Sequence, residues 1–201
     1  MTEAFLRDLV IRTLRDPRGA AAQILAMGLP MQARWLALGA VIALSAVLGS
    51  LAEIMFAFVT KIELGEGSPV PMAVAQGALL IYGAFAMTVV GRWCGGQGRF
   101  ADALLLLVWM EFVLILGQVV QVLMMVFFPL SAVVASALLL GLMFWLLVQF
   151  TAALHGFERL STVSAGVIVT FFASALLAGV LLLSLGIVPV PVAGCGELRC
   201  M

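Results

Sequence analysis

Residues Ala101–Phe128 read ADALLLLVWMEFVLILGQVVQVLMMVFF, an almost unbroken apolar run with one carboxylate, Glu111, deep inside it. A helix rises about 1.5 Å per residue, so about 20 apolar residues cross the ~30 Å hydrocarbon core of a bilayer. This run is long enough to span. Trp35–Val59, Met72–Gly91, Ala132–Leu154 and Val163–Val188 have the same character. Of the 201 residues 65% are hydrophobic and 10% charged, and the mean hydropathy is +1.25, which excludes a water-soluble globule. Lipid supplies no hydrogen bonds to the backbone, so each run must satisfy its own amides and carbonyls as a helix. A membrane barrel would need alternating apolar and polar residues, and Ala103–Trp109 does not alternate. The expected fold is all-α, a polytopic membrane bundle of five transmembrane helices with an amphipathic N-terminal cytoplasmic helix. Residues 1–33 are expected as the cytoplasmic or interfacial segment, 34–188 as the bundle and 189–201 as an extracytoplasmic tail.

Charge orients the bundle. Lys and Arg in short loops favour the cytoplasmic side. Arg7, Arg12, Arg15, Arg18 and Arg34 precede the first span, Arg92 and Arg99 follow the second, and Arg159 follows the fourth. Five spans bring these three regions to one side and leave Lys61 and Arg199 on the other. The amino terminus is therefore expected in the cytoplasm of a bacterial inner membrane, with the carboxyl terminus in the periplasm. No short apolar core follows directly on a basic start, so the first span is expected to insert uncleaved. The formal net charge is zero, which gives no global field for nucleic acid.

Outside the spans, Glu3–Arg15 places Phe5, Leu6, Leu9, Val10 and Leu14 along one side of a helix, with Arg7, Arg12 and Arg15 mostly off it. That pattern suits a helix lying in the membrane interface with Arg18 close behind. Packing of the same helix against the end of the bundle is the competing reading. Asp16 and Pro17 end this helix and start a second, about Pro17–Met27, because Pro fits a first turn and Asp caps it. Pro129-Leu130-Ser131 is expected to join the third and fourth spans in a tight hairpin. Gly95, Gly96 and Gly98 lie in a turn between the second and third spans, flanked by Trp93 and Phe100 as interfacial anchors.

Glu111 is the sharpest candidate for chemistry. A carboxylate near mid-bilayer must be protonated, paired or facing a wet cavity. Gln118 and Gln121 follow along nearly the same face, and Gln149 of the fourth span could meet them. This candidate intramembrane polar row serves either a proton or ligand pathway or interhelical hydrogen bonding that fixes packing. Glu53 is expected as an interfacial acid. His155, the only histidine, is expected as a capping or interfacial residue at the end of the fourth span, with Glu158 and Arg159 near it. No catalytic residues stand out, because no nucleophile, base and acid fall within one plausible site. No metal or cofactor is expected, and the eleven methionines suit packing better than ligation. Cys195 and Cys200 could close a disulfide loop on the outer tail, two unpaired thiols being the alternative.

Three stretches together, RDPRGAAAQIL at 15–25, GGQGRFADALLL at 95–106 and LHGFERLSTVSAGV at 154–167, resemble bacterial members of the Yip family. Asp16-Pro17 and Gly95-Gly96-x-Gly98 are the best matches. The resemblance implies five spans and a cytoplasmic amino terminus, and it implies no established reaction. The long cytoplasmic region and Asp-Leu-Tyr-Gly-Pro motif of the eukaryotic relatives, which interact with Ypt/Rab GTPases, are not in this chain. The function expected is a non-enzymatic scaffold or membrane organiser. Its partners would be the lipid bilayer and another membrane protein or a second copy. A small proton-coupled permease using the Glu/Gln row is the alternative, and a lipid-modifying membrane enzyme a second one.

Overall fold

The structure is a computed structural model, and it describes residues 3–61 and 68–184. Among these the chain forms seven helices and no strand: α1 Glu3–Arg15, α2 Pro17–Ala26, α3 Met31–Thr60, α4 Pro69–Trp93, α5 Phe100–Phe127, α6 Pro129–His155 and α7 Leu160–Ser184. The last five are long and apolar enough to cross a membrane, so the chain is a multi-pass membrane protein.

Local chemistry sets the breaks. Asp16 leaves the helical region (φ −139°, ψ 77°), its carboxylate accepts the Gly19 amide at 2.9 Å, and Pro17 opens α2. An amide that would otherwise be orphaned at the helix start is thereby satisfied. Pro30 precedes α3, and Lys61 ends it in the left-handed region at φ 57°. Ser68 caps α4 by accepting the Val70 amide at 3.3 Å. The expected linker Pro129-Leu130-Ser131 is instead the first turn of α6, and Phe128 alone separates α5 from α6. Pro belongs at a first helical position because its missing N–H has no partner to lose there. Gly156 ends α6 at φ 72°, and the Phe157 amide returns to the Ala152 carbonyl at 2.9 Å.

The most apolar helix is also the central one. More than half of the apolar stretch of α5 is buried, whereas almost none of those of α3 and α7 is. Leu104, Leu106 and Ile115 of α5 meet Leu38 and Val41 of α3, Ala84 of α4 and Leu146 and Phe150 of α6 in one core. Ala20, Ala21 and Ile24 of α2 complete it. At one end of the bundle Arg34 pins α3 to α5 through an ion pair with Asp102 at 2.8 Å, and it also donates to the Leu29 carbonyl at 2.9 Å.

The stripe expected along α1 divides. Leu9 is buried, Phe5 packs against the core, and Leu14 is exposed beside Ile11. Thr13 takes the buried position instead: its hydroxyl donates to the Leu9 carbonyl at 2.8 Å and accepts from Trp109 Nε1 at 2.9 Å. A Trp side chain on a helix leans back toward the helix amino terminus, which brings the Trp109 indole toward the end where α1 lies. An indole N–H in an apolar bundle needs an acceptor, and Thr13 supplies it. Helix α1 is thus docked on its Leu9–Thr13 side and presents Arg7, Ile11, Leu14 and Arg15 outward.

Candidate functional site

Glu111 lies about 16 Å along α5 from its start by helical rise. One of its carboxylate oxygens accepts from Gln76 Nε2 of α4 at 2.6 Å and from Ser45 Oγ of α3 at 3.2 Å. Three helices are joined at this atom. Neither partner was singled out from sequence. The available signal was that Gln76 is the one amide side chain within Met72–Gly91.

The rest of the polar row is distributed elsewhere. Gln121 donates to Ser136 Oγ at 2.7 Å and to the Ala132 carbonyl at 3.3 Å, closing the α5–α6 hairpin. Gln118 lines a shallow groove of about 280 Å³ with Gln121 and Ser136. Gln149 accepts from Arg18 Nε at 3.1 Å, and Arg18 also donates to the Phe157 carbonyl at 3.3 Å. The structure therefore brings Gln118 and Gln121 together, and it places Glu111 and Gln149 in separate groups with other partners. Helical spacing aligned Glu111, Gln118 and Gln121 on one helix, but the neighbours differ at each level because α3 and α4 flank α5 at Glu111 and α6 flanks it at Gln121.

A second group forms at the α1 end around His155, which is 7% exposed. Its Nδ1 accepts the Gly98 amide at 3.0 Å, and its Nε2 lies 3.0 Å from the Met87 carbonyl. An amide can only donate and a carbonyl only accept, so the ring is the neutral Nε2–H tautomer. Phe157 stacks on it with centroids 5.5 Å apart. A Cβ on Gly91, Gly96 or Gly98 would fall against the imidazole. Gly95 takes φ 88° and turns the chain around the ring, and Arg92 Nε donates to the Gly98 carbonyl at 3.0 Å. The glycine-rich turn closes on His155. With both ring nitrogens committed to backbone groups, the imidazole acts as a clamp between α4, the α4–α5 turn and α6. Glu158 and Arg159 are exposed.

Among the basic residues expected at the membrane interface, Arg7 and Arg15 are exposed, Arg12 donates to Gln23 Oε1 at 2.7 Å, and Arg18 is tied to α6 as described. Asp16 and Pro17 restart the helix that presents Arg18. The three stretches that carried the family resemblance, far apart in sequence, thus meet at one end of the bundle through Arg18, Gly98 and His155. Cys195 and Cys200 lie outside the described residues, and Cys94 is an exposed free thiol.

The family model for the Yip1 domain matches residues 11–185, a stretch that contains both the Glu111 group and the His155 clamp. No curated protein and no solved structure matches the chain.

Proposed function

The chain belongs to the Yip1 domain family, and from that premise we propose that it is a non-enzymatic scaffold that organises its surroundings in a bacterial inner membrane. Its amino terminus would be cytoplasmic, a reading supported by the arginines of three regions gathered at one end of the bundle. The observation that carries the proposal is the use made of Glu111. Its carboxylate accepts side-chain donors from two other helices, which suits a residue holding α3, α4 and α5 in register. The docked α1 helix then offers a face of Arg7, Ile11, Leu14 and Arg15 at the membrane edge, with apolar groups for lipid or a partner helix and guanidiniums for phosphate or carboxylate.

Proton flux tests this reading against a permease that uses Glu111 as carrier. The purified full chain is reconstituted in vesicles loaded with a pH-sensitive dye, beside Glu111→Gln. A scaffold gives flux no higher than protein-free vesicles for both chains. Flux in the native chain that disappears in Glu111→Gln would establish transport and remove the scaffold proposal.

A further inference from the structure

Helices α6 and α7 leave between them, toward the α1 end, an open groove of about 650 Å³, within the range of about 300–1,000 Å³ usual for small-molecule sites. Its lining is graded. Gln149, Ser161 and Ser164 lie at the end near α1 and α2, and Phe144, Ile168 and Phe172 continue toward the bilayer interior. On α7 the lining runs from Leu160 to Phe172, about 18 Å by helical rise. That is close to half of a ~30 Å hydrocarbon core. The groove therefore follows one leaflet and stops near the midplane.

Charge sits at its polar end. Gln149 is hydrogen-bonded by the Arg18 guanidinium, which has no carboxylate partner among the described residues. Arg159, adjoining Leu160 of the lining, is exposed. The acids of the same two segments, Asp16 and Glu158, are exposed as well, and the Asp16 carboxylate is engaged by the Gly19 amide. Among the described residues, the segments at that end carry Arg7, Arg12, Arg15, Arg18, Arg34, Arg92, Arg99 and Arg159 against Glu3, Asp8, Asp16, Asp102 and Glu158.

We propose that this groove is a binding site for one phospholipid of the leaflet on the α1 side, an acyl chain lying along Ile168 and Phe172 and an anionic headgroup beside Arg18, Gln149 and Ser161. An open apolar groove at hydrocarbon depth is filled by chains from the surrounding leaflet, each buried methylene contributing favourably. The graded lining matches an amphiphile of one leaflet's length, and the positive rim selects a negative headgroup. The site is independent of Glu111 and of the α1 face, so it stands or falls apart from the scaffold proposal.

The test uses the full chain in phosphatidylcholine vesicles carrying a trace of phosphatidylglycerol with a diazirine near the chain end, with adducts mapped by mass spectrometry after illumination. Adducts are expected on 144–145 and 168–172, where the chain end lies, at about fivefold or more above those around Val47 and Leu79, equally lipid-facing residues of α3 and α4. Excess unlabelled phosphatidylglycerol removes them, and excess phosphatidylcholine does not. Ser164→Phe, on a loosely packed face, fills the groove and reduces the adducts by a similar factor, while Arg18→Gln abolishes the headgroup preference. Adducts spread evenly over the lipid-facing surface, equal competition by both lipids, or a groove occupied by a second copy or another protein's helix would each overturn the assignment.

Discussion

The Gly98 amide donates to His155 Nδ1 at 3.0 Å across 57 positions of sequence, and this one bond ties the start of the central helix to the end of α6. The clamp demands glycine at three places, because a methyl on Gly91, Gly96 or Gly98 would run into the ring.

Gly96→Ala is therefore expected to destabilise the protein by about 1–3 kcal/mol, the usual cost of overpacking a filled site. Gly49→Ala, with nothing within 4 Å of the added atom, should be neutral or slightly stabilising, since Ala is the better helix former. Unfolding in detergent micelles followed by circular dichroism checks both. The double variant Gly91→Ala with His155→Ala should cost less than the sum of its singles, because the atoms that crowd Gly91 all belong to the ring. Equal losses for Gly96→Ala and Gly49→Ala would contradict the clamp.

Thr13→Val keeps the shape of the side chain and removes the acceptor for the Trp109 indole. A buried donor left unsatisfied costs about 1–3 kcal/mol. The loss should fall on α1 docking, so hydrogen exchange is expected to rise in 3–15 while α5 stays protected. Unchanged exchange in α1 would show that Leu9, Phe5 and the Arg12–Gln23 bond hold the helix without Thr13.

Asp102→Asn and Arg34→Met each break the ion pair that joins α3 to α5. The side chains are 9% and 28% exposed for Arg34 and Asp102 respectively, so the penalty falls below that of a fully buried pair, at about 1–3 kcal/mol. Arg34→Met should be the costlier of the two, since Arg34 also serves the Leu29 carbonyl. Thermal unfolding of the two variants in parallel tests the order.

Much of this was legible in the sequence, and the reasons are physical. Span length and apolarity dictate five helices because a bilayer leaves the backbone no other solution. Asp16-Pro17 is a helix restart on local grounds alone. What sequence spacing could not supply is which helix lies beside which. Glu111, Gln118 and Gln121 share a face of α5, yet Glu111 meets Ser45 and Gln76 while Gln121 meets Ser136, and Gln149 is taken by Arg18 of a segment that precedes every span. His155 does end α6, but nothing near it in sequence reveals the glycines that close on it. On α1 Thr13 falls one turn beyond Leu9 in the middle of the apolar arc and Leu14 at its edge, so Thr13 takes the buried place against Trp109 and Leu14 is left outside.

Ser45→Ala and Gln76→Leu each remove one donor to Glu111 and should cost about 0.6–2 kcal/mol, the range for interhelical hydrogen bonds in membranes. Glu111→Gln keeps an acceptor for both donors and is expected to cost less than Glu111→Leu. Unfolding midpoints of the four variants check the ranking, and a Glu111→Leu variant as stable as the native chain would remove the packing role.

The central claim, a scaffold whose α1 face meets a partner, is tested most directly by chemical crosslinking in native membranes. A tagged full chain is compared with its Arg7→Glu, Arg15→Glu variant and the products are quantified by mass spectrometry. The account predicts one stoichiometric protein partner for the native chain, crosslinked through residues 3–15 and lost in a variant that remains folded and membrane-inserted. No stoichiometric partner, or a partner retained in full by the variant, would contradict it.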